Sequence, residues 1–107
     1  MSSKQRRNEA VQYNGWSNFE TWNFNLWITN EEGDYDYATE LARGSKDKYA
    51  LSESLQDWAS EMANDVLSSY EYAHGFITDM VNSSIKTVNF YEVAEHLWDE
   101  AHDEEEE

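Results

Sequence analysis

At 107 residues, without cysteine or proline, the chain has the length of one domain with a single core, and disulfides and thiolate metal sites are excluded. Its 23 acidic against 7 basic side chains give a formal net charge of −16, a field that repels DNA, RNA and anionic lipid and attracts basic surfaces. Five Trp and seven Tyr supply enough buriable area to argue against intrinsic disorder despite a mean hydropathy of −0.92.

Residues 1–12 are polar, lack apolar periodicity and hold Lys4, Arg6 and Arg7, so they read as a disordered leader. A single helical domain is expected over residues 13–103. Its organising stretch is 13–31, where Trp16, Phe19, Trp22, Phe24 and Trp27 crowd together. Ser17-x-x-Glu20 has the form of a capping box, in which each side chain accepts from the other residue's backbone N–H, and it predicts a helix beginning near Asn18. Phe19, Trp22 and Leu26 then line one face, and Phe24, Trp27 and Ile28 widen it beyond a single stripe. A helix of that kind has to be covered on more than one side, which makes it the expected centre of the fold. Gly15 supplies freedom to the turn before it, Trp16 can staple back onto it, and Gly33 can terminate it.

Residues 34–43 read as a short second helix, with acid in its first turn, Arg43 in its last and Gly44 as its stop. Residues 45–50 read as a loop or a weak first turn. The longest periodic segment is 51–67, where Leu51, Leu55, Trp58, Met62 and Val66 form one apolar face. On its outer face Glu53, Asp57, Glu61 and Asp65 repeat every fourth residue, a carboxylate ladder rising about 6 Å per step. Like charges at that spacing oppose helix formation by a few tenths of a kcal/mol per pair, so stability alone does not select the ladder. Residues 68–75, with Tyr70, Tyr72 and His74, read as a connector, and 76–85 as a fourth helix. The last helix opens with Asn89-x-x-Glu92, a second capping signal, and turns Phe90, Val93, Ala94, Leu97, Trp98 and Ala101 inward. Residues 104–107 are a run of Glu, read as a disordered acidic tail. The expected fold is all-α, four or five helices packed around the aromatic-rich helix; a sheet including residues 87–91 is the competing reading.

Asn14-Gly15-Trp16-Ser17-Asn18-Phe19-Glu20-Thr21-Trp22-Asn23, followed by Leu26-Trp27 and Asn30, resembles the Asn-Gly-Trp-Ser-Asn-Tyr-Glu-Thr-Trp-Asn signature of a family of small proteins from phages, plasmids and some prokaryotic genomes. A second block, from Val88 to Leu97, is similar to that family's closing Val-Asp-Trp-x-Glu-Ile-Ala-Glu-His-Leu helix. Phe19 replaces the usual Tyr, and Asn89 and Phe90 replace Asp and Trp, changes that leave packing undisturbed. The resemblance implies a mobile-element origin and an all-helical fold, and it implies no reaction.

Chemistry has few footholds. His96, Asp99 or Glu100, His102 and Asp103 stand at helical spacing, but a zinc site needs three or four ligands with a supporting shell, and solvated side chains are the simpler account. The acids around Gly33 lack the EF-hand spacing. No phosphate loop or nucleophile–base arrangement occurs, so neither an enzyme nor a cofactor or metal is expected. Trp16, Trp22 and Trp27 can stack on bases only beside a basic groove, which this chain lacks, so core packing is their default.

What remains is the surface. Carboxylates about 6 Å apart approach the separation of phosphates along a DNA strand. In this reading Glu53, Asp57, Glu61 and Asp65 form one row, and Glu92, Glu95, Asp99, Glu100 and Asp103 form another. The expected function is inhibition of a host DNA- or RNA-processing protein by DNA mimicry, of the anti-restriction or anti-CRISPR kind, with the basic groove of that protein as partner. Direct binding of nucleic acid or membrane is not expected. The alternative is a small acidic adaptor that recognises a protein through its aromatic helix. With no apolar run of about 18 residues and no signal-peptide pattern, the expected location is the host cytoplasm, as monomer or homodimer.

Overall fold

A computed structural model describes residues 13–69 and 75–106. The expected leader, Tyr70, Tyr72 and His74 of the connector, and Glu107 lie outside the described residues. Among the described residues five helices follow one another: α1 (Phe19–Asn30), α2 (Glu32–Gly44), α3 (Lys48–Ser68), α4 (Gly75–Thr87) and α5 (Phe90–Glu106). No strand occurs among the described residues, and residues 87–91 form the junction between α4 and α5.

The packing centre is the pair α3 and α5, which meet more extensively than any other two helices. Leu51, Leu55 and Ala59 of α3 face Phe90, Val93, Ala94, Leu97 and Ala101 of α5, and all eight are buried. Ala38 and Ala42 of α2 are fully buried beside them. Small residues there let α2 approach closely.

The helix expected at the centre lies at the edge. Of α1 only Thr21 and Ile28 are buried, while Phe24 packs partly against the core and meets Phe90 edge-on at 5.2 Å between ring centroids. Phe19 is 48% exposed and Trp27 54%. The helices packed against α1, which are α2, α4 and α5, leave part of its aromatic surface uncovered. Trp16, which precedes α1, packs against the core and meets the His96 ring of α5 at a tilt, with 4.5 Å between ring centroids.

Boundaries shift for identifiable reasons. The break between α1 and α2 is one extended residue, Glu31, and Gly33 falls inside the first turn of α2 instead of ending α1. Asp47 caps α3 by accepting from Ala50 N–H at 2.8 Å, so the helix starts within the expected loop. Met62 and Val66 continue the apolar face of α3 beyond the core and are 37% and 59% exposed. The helix α5 runs on to Glu106, so residues 104–106 of the expected tail belong to its last turn.

Candidate interaction surfaces and the signature clasp

The segments around residues 14–23 and 88–97 meet at the N-termini of α1 and α5. Residues 13–16 form a tight turn, closed by Trp16 N–H donating to the Tyr13 carbonyl at 2.9 Å. Asn14 and Gly15 have φ of 53° and 92°, the left-handed pair that an Asn-Gly turn accommodates. Beyond the turn the predicted Ser17–Glu20 capping box is replaced by a cap one residue later. Asn18 Oδ1 accepts from Thr21 N–H at 2.8 Å and from the Thr21 hydroxyl at 2.7 Å.

The reason lies across the fold. Asn18 Nδ2 donates to the Thr87 carbonyl at 3.0 Å, tying the cap of α1 to the end of α4. The Thr21 hydroxyl in turn accepts from Asn89 N–H at 2.8 Å. Asn89 caps α5 as predicted, accepting from Glu92 N–H at 3.1 Å, but the Glu92 carboxylate accepts from Ser17 N–H at 3.1 Å, 75 residues away in sequence. Each helix start thus satisfies orphan backbone donors of the other. Thr21 is fully buried between them. The roles of Asn18, Thr21 and Asn89 in this clasp rest on long-range partners, which a local capping pattern does not reveal.

The clasp and its surroundings also decide where the acidic site residues go. Glu92 is committed to Ser17 N–H. Asp99 pairs with Lys48 at 3.2 Å, and Glu100 accepts from the Tyr35 hydroxyl at 2.6 Å. Glu95 is half-buried and Asp103 exposed. The row expected on α5 is therefore engaged at three of its five positions.

The α3 ladder differs. Glu53, Asp57, Glu61 and Asp65 are all exposed, and none has an ion-pair or side-chain hydrogen-bond partner among the described residues. The ladder is available along its whole length, the α5 row only at Glu95 and Asp103. Of the aromatic motif, Trp16 and Trp22 are half-buried, Phe19 and Trp27 exposed; Ser17 is exposed and Glu20 half-buried.

His96 and His102 both make aromatic contacts. His96 lies against Trp16, while His102 stacks on Trp98 at 3.9 Å with Nδ1 2.9 Å from the Trp98 carbonyl. No group of three potential metal-ligating side chains forms among the described residues. None of the described helices is long and apolar enough to cross a membrane.

Fold and surface together define a small, strongly acidic all-α protein in which the starts of α1 and α5 interlock. The chain belongs to a family of unknown function, DUF7249, which matches residues 9–106. No curated protein and no solved structure matches it.

Proposed function

We propose that this is a non-enzymatic, mobile-element-encoded inhibitor, phage or plasmid in origin, that acts in the host cytoplasm. It would occupy the nucleic-acid groove of a host DNA- or RNA-processing enzyme by presenting a phosphate-like carboxylate array. The observation that supports this is the α3 ladder: four carboxylates, one per turn and a little more, exposed and unpaired among the described residues on a 21-residue helix. A row that opposes its own helix gains a reason if a basic groove neutralises it. Binding would displace counterions from that groove as a DNA strand does, so affinity falls steeply with salt. Of the α5 residues, Glu95 and Asp103 are the ones left to extend the array.

The test is capture from host lysate by the parent beside a folded variant carrying Glu53→Lys, Asp57→Lys, Glu61→Lys and Asp65→Lys. The reading expects a nucleic-acid enzyme that salt, competing DNA and the variant each release. With the target in hand, neutralising the ladder should reduce the log–log salt slope by about one per carboxylate engaged. Capture that the variant retains refutes mimicry. The adaptor reading gains from one observation, the half-exposed Phe19 and Trp27 of α1.

A further inference from the structure

The exposed aromatics of α1 are not scattered. Phe19 and Trp27 edge an apolar hollow that runs between α1 and α4 with Ala59 of α3 at its floor. A second hollow, between α3 and α4, is lined by Met62 and Met80. Both share Phe24, Ala59, Ser84 and Ile85, so they are two stretches of one groove. The helix α4 that forms its wall buries no residue, and Met80 is 54% exposed. The groove runs along α4 from Met80 to Ile85 and on to Val88 just past its end, about 12 Å.

We propose that this groove is the docking site for a basic amphipathic helix of a partner protein. A channel of this length takes apolar anchors at i, i+4 and i+7 of a docked helix. Trp and Met at its edges suit such a role, the first as a large anchor surface and the second as an adaptable one. Charge selects the occupant. Among the described residues, the one charged side chain lining either hollow is Glu20. On α3 Asp65 follows Met62 by three residues, which puts its carboxylate about 60° round the helix from that methionine, at the edge of the groove. Lys86 is the single basic residue of α4. A helix seated on apolar anchors with Lys or Arg on its outer flanks meets acid at the rim. A second copy of this chain would bring a further −16, and an anionic membrane would be repelled. This site does not depend on the ladder being a phosphate mimic.

The experiment titrates the whole protein with a synthetic Lys/Leu peptide of about 14 residues, Leu placed at i, i+4 and i+7 spacing, at about 0.1 M salt. Binding is read by NMR at the Met methyls and Trp indoles. Two controls are a peptide of identical composition with the Leu order scrambled and a Glu/Leu counterpart. The expected result is saturable binding of the amphipathic Lys/Leu peptide, with perturbations at Trp27, Met62 and Met80. Met80→Gln and Trp27→Gln, which leave the charge unchanged and alter half-exposed positions, should each weaken it about tenfold. Asn replacement of Asp57, on the far side of α3, should leave these perturbations in place, so failure of the groove and failure of the ladder are read separately. The proposal is overturned by absence of binding, by equal binding of the scrambled peptide, or by indifference to both Gln variants. It is also overturned if the free protein is a dimer that Met80→Gln dissociates, which would put a second copy in the groove.

Discussion

Thr21→Val probes the clasp with almost no change in side-chain shape. The hydroxyl donates to Asn18 Oδ1 at 2.7 Å and accepts from Asn89 N–H at 2.8 Å, in a residue that is 0% exposed. Two net hydrogen bonds are worth about 0.5–1.5 kcal/mol each, and a donor stranded in the interior costs about 1–3 kcal/mol. Asn18 Oδ1 retains the Thr21 N–H, and Asn89 as a residue is exposed, so water relieves part of the second loss. The expected cost is therefore about 2 kcal/mol, a large share of the roughly 5–15 kcal/mol available to a domain. Urea unfolding followed by Trp fluorescence should show the midpoint falling by about 1 M with an unchanged m-value. Thr21→Ser is the control, keeping the hydroxyl and losing one buried methyl, for about 1 kcal/mol. If Val costs no more than Ser, the hydroxyl does not join the two helix starts and the clasp argument fails.

Three further outcomes follow from the same structure. Asn18→Ala should cost about 1–2 kcal/mol through the lost cap, and Ser17→Ala under about 0.5 kcal/mol; thermal melts showing equal losses would restore the Ser17 capping box. Leu55→Ala, at a fully buried site, should cost about 2–5 kcal/mol, whereas Trp27→Gln at 54% exposure should cost under about 1 kcal/mol, and the reverse order in denaturant titration would place α1 at the centre after all. Replacing Glu53, Asp57, Glu61 and Asp65 by Gln or Asn removes three i,i+4 repulsions and should stabilise the chain by about 1 kcal/mol at low salt. That gain should shrink at high salt, and a salt-independent difference would mean that repulsion is not its source.

Helical periodicity carried most of the secondary structure. It identified the inner face of α5, where Phe90, Val93, Ala94, Leu97 and Ala101 are buried and Trp98 is half-buried, and it placed Leu51 and Leu55 inside. The same reasoning overextended to Met62 and Val66, because spacing says which residues share a face and not how far along the helix that face stays covered. It also overvalued α1, since an abundance of aromatic residues measures what a helix can bury, while the area its neighbours offer decides what it does bury. The ladder on α3 was legible as a pattern because i,i+4 spacing fixes its geometry without reference to the rest of the chain. The neighbouring acidic row was not, because Lys48, Tyr35 and Ser17 reach it from other elements.

Capping shows the division most clearly. Two overlapping signals compete at the start of α1, Ser17 with Glu20 and Asn18 with Thr21, and locally each can satisfy a backbone donor. Only the arrival of Thr87, Asn89 and Glu92 decides between them, by supplying partners for Asn18 Nδ2, the Thr21 hydroxyl and Ser17 N–H. By itself the sequence determined an acidic all-α chain, the faces of its helices and the carboxylate ladder, all properties of short-range periodicity and charge. Tertiary structure alone decided which aromatics stay outside, which carboxylates are already engaged and which cap forms, because each depends on groups brought together from distant parts of the chain.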